Sequence, residues 1–134
     1  MGKKGMLLVG HGSSLPFNKE LVEETAAMIR ARDGEFIIRT GFLNLDKPTL
    51  TDALEQFQKD DIDMMVVVPL FLAKGVHILE DIPALLGLDP GKNRGEIELH
   101  GKSIPLVYAE PIGKDPLLAE MMLKNAYRAI RRAP

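Results

Sequence analysis

The chain has 134 residues, 46% apolar and 27% charged, with a formal net charge of −2 and no cysteine. That is enough for one domain with a core, and the slight acidity leaves no basic footprint for nucleic acid. The missing thiols exclude disulfides, thiolate metal sites and cysteine nucleophiles, and no apolar run approaches the roughly 20 residues that span a bilayer.

Met6–Val9 is wholly apolar, as in a strand covered on both faces, and Gly10 and Gly12 break it. It begins too close to Met1 to leave room for a signal peptide, so the expectation is one cytoplasmic domain over residues 1–134. From Pro16 to Arg32, Leu21, Val22, Thr25, Met28 and Ile29 recur at helical spacing, and Asp33-Gly34 ends the pattern. Glu35 to Phe42 reads as a second strand. Pro48 and Thr49 then open a helix with the apolar stripe Leu50, Ala53, Leu54 and Phe57.

Met64 to Leu72 is the strongest strand signal, with an end or bend expected at Pro69, which cannot donate to a ladder. A third helix follows His77, with Pro83 tolerated in its first turn, and ends at Leu86-Gly87. Asp89 to Gly95 reads as a loop. Glu96–Leu99 and Ser103–Tyr108 suggest a hairpin around His100-Gly101 leading into the last strand. Pro116 to Arg131 forms a final helix with Leu118, Met122, Ala126, Ala129 and Ile130 on one face; Met121, Met122 and Leu123 are expected in the core. The alternation predicts a three-layer αβα sandwich around a mainly parallel, four-stranded sheet. Two exposed sheet edges weakly favour an oligomer.

Two histidines follow apolar runs: His11 in Val9-Gly10-His11-Gly12-Ser13-Ser14, and His77 in Pro69-Leu70-Phe71-Leu72-Ala73-Lys74-Gly75-Val76-His77. If both runs are parallel strands, both imidazoles reach the carboxyl edge, where open α/β sheets bind ligands. There they could hold a divalent metal or take up protons. Leu70, Phe71 and Leu72 would line a mouth suited to a flat apolar ligand. Glu80 and Asp81 could orient His77, but favouring a helix N-terminus is the plainer role. Gly12-Ser13-Ser14 could cradle a phosphate, yet it lacks the P-loop lysine and the three glycines of a dinucleotide fingerprint. No Gly-x-Ser-x-Gly elbow is present, which argues against a serine hydrolase. His100, in a turn, reads as solvated.

Together these segments resemble the small-form sirohydrochlorin chelatases of archaea, the CbiX-type class II chelatases that insert cobalt or nickel. Asp81-Ile82-Pro83, Leu85-Leu86-Gly87-Leu88 and Tyr108-Ala109-Glu110-Pro111-Ile112-Gly113 also match, so the resemblance covers nearly the whole chain. It implies a homodimer of half-size subunits, with sirohydrochlorin and Co²⁺ or Ni²⁺ as substrates and no permanently bound cofactor. It implies that His11 is metal ligand and proton acceptor, and that His77 is the second ligand. Leu72, Ala73, Lys74, Gly75, Val76 and His77 would contact the tetrapyrrole. Related chains usually carry a substrate-binding glutamate where this one has Lys47, with Asp46 the nearest carboxylate. Lys74, Lys47 and Arg39 could pair with peripheral carboxylates, and Ser13 and Ser14 could add hydrogen bonds. No ATP motif is visible, consistent with insertion that needs no nucleotide. A carrier of metal or tetrapyrrole using the same histidines is the main rival. A phosphohistidine enzyme is disfavoured, because Gly10 stands where such enzymes place an arginine.

Overall fold

The computed structural model describes residues 3–132. In chain order it contains β1 (Lys3–Gly10), α1 (Phe17–Arg32), β2 (Phe36–Phe42), α2 (Leu50–Gln56) and a 3-10 turn (Phe57–Lys59). These are followed by β3 (Ile62–Pro69), a π turn (His77–Asp81) running into α3 (Ile82–Leu85), β4 (Arg94–Leu99), β5 (Lys102–Tyr108) and α4 (Pro116–Arg132). The strands form one sheet in the order β2-β1-β3-β5-β4, parallel except for β4.

The sheet therefore has five strands, not the expected four. His100 (φ 54°) and Gly101 (φ 74°) both take the left-handed conformation that a tight hairpin turn requires, so residues on either side pair fully. The added strand is an edge, and Arg94, Glu96 and Glu98 alternate along it. Charges of that kind discourage pairing with another chain.

Alternation along β1 sends Leu7 and Val9 to one face and Leu8 to the other. The first face is the main core, where α2 (Leu50, Ala53), Phe57 and the π turn with α3 (Ile78, Ile82) cover Met65, Val67 and Leu106. A Thr49–Asp52 capping box starts α2, and its hydrogen bonds hold the Asp52 carboxyl below the usual range. On the second face, α1 sets Val22 and Ala26 against Leu8, Ile38 and Phe42. Leu21 and Met28, expected in the same stripe, are more than half exposed. They lie one residue off the Val22–Ala26–Ile29 line, roughly 100° around the helix.

The expectation for α4 fails more completely. None of its residues is buried, and Met121, Met122 and Leu123 are exposed rather than in the core. The connection before it is tied to the exit of β3, with Ile112 N–H donating to Phe71 O (2.9 Å) and Gly113 N–H to Leu72 O (2.8 Å). The helix thus departs from the carboxyl edge and does not settle on its own sheet. No helix among the described residues is long and apolar enough to cross a membrane.

Candidate active site

The chain passes from β1 to β2 on one side and then to β3 on the other, so the carboxyl ends of β1 and β3 flank a topological switch point. Connections leaving there in opposite directions open a crevice. Val9 lies opposite Pro69, and Leu70 N–H donates to Val9 O at 2.8 Å, so both strands leave the sheet at one level. β3 ends at Pro69 as expected. Leu70 and Phe71 are half-buried at the mouth, and residues 72–76 form an exposed shelf before the π turn returns His77.

The two imidazoles meet. His11 Nε2 and His77 Nε2 are 3.1 Å apart, with ring centroids 4.7 Å apart and planes inclined at 71°. The Phe71 ring lies 6.3 Å from each, forming an apolar wall. His11 Nδ1 is 3.0 Å from Gly12 O, and His77 Nδ1 is 2.6 Å from Asp81 Oδ2. A carbonyl and a carboxylate only accept, so each Nδ1 carries a proton and each Nε2 is the ring nitrogen turned toward the other imidazole. Two Nε2 atoms at that distance can share one cation, a proton or a metal ion. Two nitrogens bound at roughly 2.0–2.1 Å to one metal, at 90–110°, sit roughly 2.9–3.4 Å apart. The observed spacing fits. Among the described residues no group of three or more His, Cys, Asp or Glu is placed to hold a metal ion. Two imidazoles alone make an open site that can release its ion.

The loop carrying His11 is held from below. Gly12 N–H donates to Asn18 Oδ1 of α1 (2.8 Å), and Ser13 N–H to Asp46 Oδ2 (3.0 Å). Gly12 has φ +89°, and a Cβ there would fall onto the Asn44 carbonyl oxygen. Gly12→Ala is therefore expected to displace the loop, lowering stability by about 1–3 kcal/mol and weakening Co²⁺ binding. Thermal unfolding and a metal titration check this.

Residues 5–129 match the CbiX family. The chain belongs to that family. It is 44% identical to the sirohydrochlorin cobaltochelatase of Methanococcoides burtonii over 92% of this chain and 95% of the relative. The corresponding protein of Methanosarcina barkeri is 42% identical over 96% and 98%. Among solved structures, the sirohydrochlorin chelatase SirB of Bacillus subtilis subspecies spizizenii, in complex with cobalt, is 25% identical with a TM-score of 0.71. The match covers 88% of this chain and 47% of SirB. The CbiX protein of Marinobacter aquaeolei VT8 matches over 97% and 99%, with a TM-score of 0.67 and 25% identity.

In this CbiX chain, Leu72, Ala73, Lys74, Gly75 and Val76 form the exposed shelf beside His77. Lys74 Nζ rests 3.3 Å from Glu110 Oε2, an exposed pair that a ligand carboxylate can displace. Lys47 lies elsewhere, in a surface groove with Pro48, Asp52, Glu55, Gln56 and Lys59 that shares no lining residue with the groove beside His77. Arg39 is engaged, gripping Asp60 through two bonds (2.6 and 3.0 Å) above the Phe57 ring, so it is not a free partner for substrate. Ser13 Oγ accepts from Leu15 N–H, and Asp46 braces the His11 loop. His100, exposed in its turn, is tied to Asp60 O and Gln58.

Sequence reasoning underrated Asp81, whose direct bond to His77 replaces the helix-terminus role. The i, i+4 spacing was the available signal. It gave no role to Asn18, which braces Gly12, or to the Tyr108 phenol, which contacts a segment 30 residues away.

Proposed function

We propose that this chain inserts Co²⁺ or Ni²⁺ into sirohydrochlorin without ATP, releasing the two ring N–H protons as the metal–nitrogen bonds form. The observation that carries this reading is the pair of imidazole Nε2 atoms 3.1 Å apart at the mouth of an open cleft. The names of the archaeal relatives support the substrate. The metal is substrate, held by His11 and His77 and passed to the ring nitrogens. As the ion leaves, the His11 Nε2 lone pair becomes free and accepts one ring proton, and the second passes to water in the open cleft. Asp81 holds the His77 proton on Nδ1 and so keeps Nε2 available to the metal. A groove of about 410 Å³ lined by Leu43, Asn44, His77, Asp81, Ala84 and Leu85 adjoins the pair, and Phe71 and the 72–76 shelf supply apolar contact. The reaction serves cobalamin or nickel-tetrapyrrole synthesis, in a single cytoplasmic domain.

The test is absorbance of sirohydrochlorin mixed with Co²⁺ or Ni²⁺ and purified protein. Insertion faster than in buffer, without nucleotide, is expected. Binding of metal or ring with no acceleration would make the chain a carrier instead. Lys74→Ala is expected to raise KM for sirohydrochlorin about two- to five-fold with little change in kcat, the size of an exposed ion pair. An unchanged KM removes the carboxylate contact.

The working form is a homodimer. Each copy carries a 17-residue amphipathic helix with no buried residue, and also an incompletely covered sheet face, where Val66 and Val107 are only partly buried beyond α1. Phe17, Leu21 and Met28 stand exposed on α1 itself. A second copy supplies what each surface lacks.

A further inference from the structure

We infer that Tyr108 is a positioning residue for the metal-handling pair, its phenol fixing the π turn that carries His77 and Asp81. The inference rests on the function proposed above and adds to it the group that holds the second ligand in place.

The reason begins at Pro83. In an α-helix the carbonyl of Leu79 would accept from residue 83, but proline has no N–H. The backbone slips by one residue, and Ile82 N–H donates to His77 O, five residues back. That slip strands the Ile78 carbonyl. Its donor at i+4, Ile82, is committed to His77, and its donor at i+5 is Pro83. Tyr108 fills the gap, its phenol donating to Ile78 O at 2.9 Å.

The anchor is firm. Tyr108 ends β5, its N–H donates to Asn93 O (2.9 Å), and the next residue, Ala109, donates to Val67 O of β3 (2.9 Å). Burial, and then the charge of Glu110, push the phenol pKa up to about 12, so the donor proton stays in place throughout the working range. The Ile78 and Ile82 side chains are in the main core, against which Tyr108 also packs. The turn is thus clamped between core and hydroxyl, with His77 and Asp81 one α-helical spacing apart upon it. Without the hydroxyl, Ile78 O has neither its i+4 nor its i+5 backbone donor and the turn can relax. The imidazole then loses its aim at His11.

Tyr108→Phe removes only the oxygen. The folded state should persist by circular dichroism, while Co²⁺ affinity falls about three- to ten-fold, the size of one hydrogen bond. The kcat for insertion should fall with KM for sirohydrochlorin unchanged. The readout specific to positioning is the ¹⁵N-resolved imidazole signal of His77 in the metal-free protein, which should shift or broaden. A His77 signal identical to wild type overturns the inference, whatever happens to activity. Failure of the wild-type protein to insert metal would instead overturn the proposed function, and the His77 signal would still decide the role of Tyr108.

Discussion

Replacing His11 or His77 by alanine is expected to lower kcat/KM for metal insertion into sirohydrochlorin by about 10²- to 10⁴-fold, the usual loss when a proton acceptor is removed. Each loss has its own cause. In the proposed mechanism His11→Ala removes both a ligand and the acceptor lone pair, so excess metal should not restore its rate. His77→Ala removes a ligand alone and leaves the metal on one imidazole, so raising Co²⁺ should recover part of the rate. Asp81→Ala leaves both ligands but frees the His77 ring to place its proton on either nitrogen, and metal affinity should fall about 10- to 100-fold. Initial rates across a metal series, with Co²⁺ titrations of each variant, check all of this. Wild-type rates in both histidine variants would remove the assigned roles.

The second large effect concerns α4. Met122→Glu combined with Ile130→Glu is expected to convert the protein from dimer to monomer by light scattering. Both side chains are exposed within one chain, so a change confined to the monomer would cost little. In a dimer that covers them, each change forfeits about 1.5–3 kcal/mol of apolar burial and adds the cost of burying a carboxylate. Ending the chain before Pro116 should have the same outcome. A wild-type protein that is monomeric at micromolar concentration would show that α4 finds no second copy.

How far the sequence alone reached can be traced through particular residues. The strand at Met6–Val9 and the end of β3 at Pro69 were legible, because an apolar run and a missing donor act over a few residues. The two histidine segments were legible for the same reason, each being a local break after a strand. The hairpin was visible, but the number of strands was not, since positive φ at His100 depends on how the turn closes. Apolar spacing in α4 correctly announced a helix with one sticky face. It could not say which surface that face meets, and assigning Met121, Met122 and Leu123 to this chain's own core was wrong.

The sequence by itself determined the α/β class, the family resemblance and the two imidazoles as the candidate ligands, because periodicity, glycine breaks and residue type are properties of short segments. Only the tertiary structure decided that His11 and His77 meet at 3.1 Å, that Asp81 sets the proton on one of them, and that Arg39 belongs to Asp60. The histidine pair depends on strand order and register, which bring together residues 66 positions apart, and the Arg39–Asp60 pair spans 21; no local pattern encodes either distance.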